Sequence, residues 1–344
     1  MKSVEIFERY DNLFVGQDSG WLGADAAHSI ILSEDRVLWL FGDTFLGKTI
    51  AGVRYPEGYH INNCLAIQDL TQPDSANITY FWGDSVSNTR AFFPPQPGLP
   101  GQYYWPTNGL IVNDQLLIFC FAMAANEQTW WIDGTVVIKI VNYQDDPYDW
   151  ICQYNDMKIG NNNTVLHSAI FLENEHLYFL GFADRENKRE AILARTPVNE
   201  FIKVPTADSF EYWVNTANQK SWNRKLEHPV ILFTPGITET NIQYDQAWDM
   251  YFITVYDPMQ ADIFLTVANN LEGPWEKPVQ LFTNPDHVTM TYAARLHPHL
   301  STRSGELIIS YVTAPGSLDL SKESMDTYRP RFLKLELEKT KYKQ

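Results

Sequence analysis

A chain of 344 residues, 44% of them hydrophobic, is long enough to bury a large core, as one repeat domain or as two ordinary ones. Its net charge of −16, with no basic run to offset it, argues against nucleic acid and against anionic membrane surfaces as partners. Three cysteines, Cys64, Cys120 and Cys152, stand at wide spacings without a CxxC pair, which gives neither a disulfide framework nor a zinc signature.

The opening, MKSVEIFERYDN, lacks the apolar run of a signal peptide, and no stretch reaches the roughly 18–20 apolar residues of a membrane span. A cytoplasmic location is expected, with secretion left open if a leader had been removed. The first strong pattern is Gly20–Gly47, GWLGADAAHSIILSEDRVLWLFGDTFLG. Two strand-like runs, His28–Ser33 and Val37–Phe41, flank a polar turn. Asp25 precedes the first run and Asp43 follows the second. A tight hairpin brings its open ends together, so both carboxylates are expected on one edge of the sheet. The competing reading of each is a turn residue bonded to nearby backbone N–H groups.

Similar hairpins follow along the chain. Trp105–Val112 turns at Asn113-Asp114 into Gln115–Ala122, and His167–Leu172 turns at Glu173–Glu175 into His176–Phe182. Glu239–Tyr244 leads to Trp248–Tyr256, and Tyr292–Leu300 leads to Glu306–Val312. Each hairpin is followed by a further strand-like run, and no amphipathic helix of comparable strength appears. Five such units, recurring at roughly 55–85 residues, predict an all-β chain folded as a five-bladed β-propeller. The expected arrangement is a single domain over 1–344, with blades at about 22–70, 104–150, 165–215, 237–283 and 290–338. Val4–Phe7 or Leu13–Val15 is the candidate strand to close the ring onto the last blade.

Ala268–Trp275, ANNLEGPW, resembles the small-x-x-Leu-x-Gly-Pro-Trp turn of five-bladed propeller glycosidases, the arabinanase and β-xylosidase-type enzymes. The GADAAHSI…LWLFGDTFLG opening is similar to propeller families long of unknown function, some members of which cleave arabinan. Arg295–His299 and Gly305–Tyr311 resemble the fifth blade of the same group. The resemblance implies a carbohydrate substrate and a glycoside hydrolase that cleaves an oligo- or polysaccharide with two carboxylates. In the arabinanase pattern the general-acid Glu begins the third blade, where this chain reads Val165-Leu166-His167-Ser168. The nearest equivalent acid is Glu239.

In a propeller the innermost strands begin, and the second strands end, on one face. That placement gathers Asp25, Asp43, Asn108, His167, Asp184, Glu239, Asp257, Arg295 and His297. Crowded carboxylates push one another toward different protonation states, as acid–base cleavage through an oxocarbenium-like transition state requires. Asp25 is assigned as base or nucleophile, Glu239 as general acid and Asp43 as the residue that orients substrate or tunes Glu239. A structural ion pair competes for Glu239, and a salt bridge to Arg185 competes for Asp184. Trp21 and Trp105 are candidate stacking platforms for sugar rings, against core packing as the alternative. His28, His167 and His297 fall early on inner strands; a buried, hydrogen-bonded imidazole or a donor to sugar hydroxyls is favoured over a metal ligand. Arg295 is placed to hold an anionic group or to neutralise the acids. No cofactor and no metal is specified, although the acids would allow a structural Ca²⁺ at the axis. A glycan-binding propeller without catalysis and a glycoside phosphorylase are the alternatives.

Overall fold

A computed structural model describes residues 3–15, 18–56, 60–71, 77–85, 88–159, 163–185, 188–216, 219–256, 261–284, 290–317 and 319–338. In chain order, β1 (Ser3–Ile6) and helix α1 (Glu8–Leu13) are followed by β2 (Ser19–Ala24), β3 (His28–Ser33), β4 (Arg36–Phe41), β5 (Thr44–Ile50), β6 (Val53–Pro56), β7 (Cys64–Asp69) and β8 (Ile78–Phe81). The middle of the chain forms β9 (Tyr103–Val112), β10 (Gln115–Ala125), β11 (Trp130–Ile140), β12 (Cys152–Asp156), β13 (Thr164–Glu173), β14 (His176–Arg185), β15 (Lys188–Pro197), helix α2 (Val198–Lys203), β16 (Glu211–Thr216) and β17 (Gln219–Asn223). The last third forms β18 (Ile242–Asp245), β19 (Met250–Tyr256), β20 (Asp262–Ala268), β21 (Val279–Thr283), β22 (Met290–Leu296), β23 (Glu306–Ala314) and β24 (Pro330–Glu336).

Five antiparallel sheets act as blades: β3-β4-β7-β8, β12-β11-β10-β9, β13-β14-β15-β16-β17, β18-β19-β20-β21 and β1-β24-β23-β22. The fold is all-β, a five-bladed β-propeller. A sixth, three-stranded sheet, β2-β5-β6, is formed around the first blade by strands that the sequence reading did not separate. The central strands explain the unbroken apolar runs. In β10, QLLIFCFAMAA, every residue between the two ends is buried, and all of β19 and β23 is buried. A strand covered on both faces needs no polar alternation. The hairpin turns carry the expected chemistry: Asn113 and Asp114 take φ of 48° and 55° between β9 and β10, the left-handed pair of a tight hairpin. The helices α1 and α2, of six residues each, are too short to leave a periodic signature.

The chain divides into two compact units, the first made of Met1–Pro94, Gln243–Leu265 and Val279–Gln344, the second of Pro95–Ile242 and Thr266–Pro278. In the first unit an aromatic core of Phe14, Trp21, Trp39, Phe41, Tyr80 and Phe332 is buried. Strand β1 pairs with β24 from Ser3↔Glu336 to Ile6↔Leu333, so the first strand completes the last blade. That is the Val4–Phe7 alternative. Leu13 instead ends α1, whose Asp11 reaches across to β24. Asp11 accepts hydrogen bonds from Arg331 Nε (2.8 Å), Arg329 Nη2 (3.2 Å) and the Phe332 N–H (3.1 Å). Gly305, at φ 77°, opens β23 where a Cβ would stand 2.5 Å from the Trp248 ring. No other residue fits that contact.

In the second unit β9 packs on β13, and Phe119, Phe179, Phe201 and Phe210 form the core between the sheets and α2. The Gly273-Pro274-Trp275 turn is closed by its own indole, which donates to the Leu271 carbonyl at 3.0 Å and packs against Phe233. Its role is architectural.

Candidate active site

Asp25 and Asp43 lie in the first unit, where the chain leaves β2 for β3 and leaves β4 for β5. The two crossings run side by side. The Asp25 N–H donates to the Asp43 carbonyl and the Gly42 N–H donates to the Asp25 carbonyl, both at 3.1 Å. This reciprocal pair fixes the two residues next to each other, as the hairpin reading required. Sequence alone placed them by a single hairpin; the pairing of β2 with β5, Ala24↔Thr44 at its end, adds a second constraint on the same point.

The side chains have different company. Asp25 is half-buried, and its Oδ2 accepts from the hydroxyls of Tyr292 and Tyr328, each at 3.2 Å. Burial first, then the charge of Asp25, pushes the Tyr328 hydroxyl well above its ordinary value of 10, so it keeps its proton and remains a donor. Two donors on one oxygen stabilise negative charge on Asp25. Asp43 is buried, with Oδ1 taking the Asn62 amide at 3.1 Å and Oδ2 standing 3.4 Å from His60 Nε2. Burial pushes the thiol of Cys64 up to about 12, so it keeps its proton. Tyr292, Tyr328, His60 and Asn62 were missed from sequence. The tyrosines lie 267 and 303 residues from Asp25 along the chain, and no local pattern marks them.

The remaining candidates have surroundings of their own. Glu239 belongs to the second unit and is half-buried on a loop; β18 begins only at Ile242. The strand expected from Glu239 onward therefore starts three residues later, and the Thr240 N–H is taken by the Ser168 carbonyl at 2.9 Å. Asp184 forms a two-pronged ion pair with Arg189, at 2.9 and 3.0 Å, across the β14–β15 hairpin and not with Arg185. Asn108 is a clip: its amide donates to the carbonyls of His167 and Ser168 at 3.0 and 2.8 Å. Asp257 lies outside the described residues.

Trp21 has no exposed surface and stacks on Tyr80 at 4.6 Å and 14°, with Phe41 and Phe14 around it. No sugar ring can reach it. Trp105 is half-buried, edge-on to Trp130 at 5.7 Å, and Trp130 is 61% exposed; the accessible aromatic surface of this pair is Trp130. His28 is buried at the first position of β3, His167 is the fourth residue of β13, and His297 follows the end of β22, so the three are not equivalent positions. His167 is bonded to Thr107 Oγ1 at 2.8 Å, and its ring packs on Phe121. His297 sits between the hydroxyls of Ser29 (2.6 Å) and Ser310 (2.8 Å). Burial, with His299 next, holds its proton affinity well below the ordinary range, so it is neutral. Arg295 is fully buried on β22. Among the described residues no group of three or more His, Cys, Asp or Glu side chains is arranged to hold a metal ion.

Among solved structures, the chain is similar to a Bacteroides ovatus ATCC 8483 protein provisionally assigned as a hydrolase, with a TM-score of 0.78, 19% identity and coverage of 96% of this chain and 89% of that one. It is also similar to the endo-arabinase of Bacteroides thetaiotaomicron VPI-5482 (TM-score 0.53, 11% identity, 94% and 98% coverage). A third similarity is to the GH43_1 enzyme of Xanthomonas citri complexed with xylotriose (TM-score 0.52, 10% identity, 96% and 92% coverage). These likenesses show a glycoside-hydrolase-like propeller fold. No curated protein matches the chain. The family profile described as domain of unknown function DUF5005 matches residues 8–337, almost the whole length, and the chain belongs to that family.

Proposed function

We propose that this chain is a glycoside hydrolase that cleaves an oligo- or polysaccharide by two-carboxylate chemistry. One observation carries the reading: Asp25 is a half-buried carboxylate whose negative charge is supported by two tyrosine hydroxyls. Such a group is equipped to take a proton from water or to attack an anomeric carbon. Asp43, its backbone neighbour, is held by Asn62 and His60 and serves to orient substrate or tune the acid. Glu239 is the general acid of this proposal. Trp105 with Trp130 offers an aromatic surface for a sugar ring. The carbohydrate substrate is supported by the fold, which an endo-arabinase and a xylotriose-binding enzyme share. We also propose that the five blades make one domain, a reading supported by a single family profile spanning 8–337.

The test is a screen of glycans and nitrophenyl glycosides with the wild type, Asp25→Asn and Glu239→Gln. Both variants are expected to fold, to keep sugar binding and to lose turnover by about 10²–10⁴-fold. Turnover that survives both changes rules out these two residues. Sugar binding without turnover in the wild type would make the protein a glycan-binding propeller.

A further inference from the structure

Arg54 on β6 is 2% exposed, and its partners are all main-chain carbonyls. Nε donates to Leu22 at 2.8 Å, Nη1 to Ser321 at 2.5 Å and to Ser324 at 2.6 Å, and Nη2 to Met325 at 3.3 Å and to Thr327 at 2.6 Å. A guanidinium has five N–H donors, and here each has its own carbonyl. Among the described residues no carboxylate stands within ion-pair distance of it. Burial, followed by the charge of Arg329, brings the group down to about 10, a measure of how poorly the site suits a cation without a counter-charge. A side chain that only filled this space would be better apolar.

The five carbonyls belong to two places. Leu22 lies on β2, three residues before Asp25, and the other four lie on the 321–327 segment, which ends directly at Tyr328. Gly23 makes the close approach of the two strands of chain possible: a Cβ there would stand 2.6 Å from the Tyr328 carbonyl and 2.7 Å from Arg54 Nη2. The Tyr328 ring rests on Phe45 at 5.1 Å, and the guanidinium lies 6.0 Å from the same Phe45 ring. The Tyr328 N–H is bonded to Thr313 at 2.7 Å, so the residue is anchored from β23 as well.

We propose that Arg54 is a positioning residue for Asp25: by tying β2 to the 321–327 segment it holds the Tyr328 hydroxyl on the Asp25 carboxylate. The inference rests on the hydrolase reading for its consequence in turnover, and on the structure alone for its mechanical part. Lysine offers three donors in place of five, in no fixed plane, and leaves at least two carbonyls without a partner.

Two measurements on Arg54→Lys, Tyr328→Phe and the double variant decide it. In crystal structures, Arg54→Lys is expected to take Tyr328 Oη out of hydrogen-bond range of Asp25. On whichever glycoside the wild type cleaves, each single variant is expected to lose about 10–100-fold in kcat, the range of one hydrogen bond to a charged group. The acid limb of the pH–rate profile moves to higher pH in both, because a carboxylate that loses a donor ionises later. The double variant loses no more than either single one. Tyr328 still bonded to Asp25 in Arg54→Lys, an unmoved acid limb, or losses that multiply in the double variant would each overturn the proposal. If the wild type cleaves nothing, the hydrolase reading fails and the crystal structures alone decide the clamp. Should Arg54→Lys not fold, Gly23→Ala, which presses on the same joint, takes its place with the same expected outcomes.

Discussion

Two imidazoles of the fifth blade, His297 and His299, lie with ring centroids 6.2 Å apart and both pack on Trp39. Burial lowers His299 to about 4. In the unfolded chain the same imidazole takes a proton near 6.5. Between those values the unfolded state binds the proton and the folded state does not, so stability is complete above about pH 6.5 and falls as the pH drops toward 4. The gap for His299 alone corresponds to on the order of 3 kcal/mol. His299→Gln is expected to flatten the fall in urea-determined stability between pH 7 and 4.5 relative to the wild type; an unchanged slope would mean that the ring is already charged when folded. At this scale the sequence was legible where a local hairpin decided the geometry, as for Asp25 and Asp43. It was silent on Tyr292 and Tyr328, whose partner Asp25 lies hundreds of residues away, and on Arg54, four of whose five partners do. Trp21, a candidate stacking platform by sequence, misled for a related reason: its burial depends on what Phe14 and Tyr80 bring from elsewhere.

At the scale of elements, the strands were legible because central strands such as β10 announce themselves as apolar runs and the turns use residues suited to positive φ. The division of the opening stretch into β2-β5-β6 and β3-β4-β7-β8 was not, since one continuous pattern serves two sheets. The short helix α1 escaped notice, yet its Asp11 is tied to β24, the strand that β1 pairs with. That carboxylate is buried against Arg329, itself 5% exposed, and Arg331. Removing one partner of a buried pair leaves a charge uncompensated, at a cost of about 3–5 kcal/mol. Asp11→Ala is expected to destabilise by about 3 kcal/mol, the lower end because Arg331 keeps access to water, as read by urea unfolding. A loss under about 0.5 kcal/mol would place the latch among ordinary surface ion pairs.

At the scale of the molecule, five recurring hairpins were enough to fix the propeller, because a repeated unit that cannot cover its own faces has few ways to be stable. The chain passes back and forth between its two compact units. If the five blades are one domain, calorimetry should give one transition in which calorimetric and van't Hoff enthalpies agree. Two resolved transitions would make the units independent domains.

The pairing of β1 with β24 sets a schedule for synthesis. Ser3 meets Glu336, so Ser3–Ile6 has no partner until more than 300 further residues have been made. At roughly 5–20 residues per second that is a wait on the order of tens of seconds. Throughout it the Ser3–Ile6 strand is open to chaperones or to a neighbouring nascent chain, and the blade it completes can be assembled only once Glu336 has emerged.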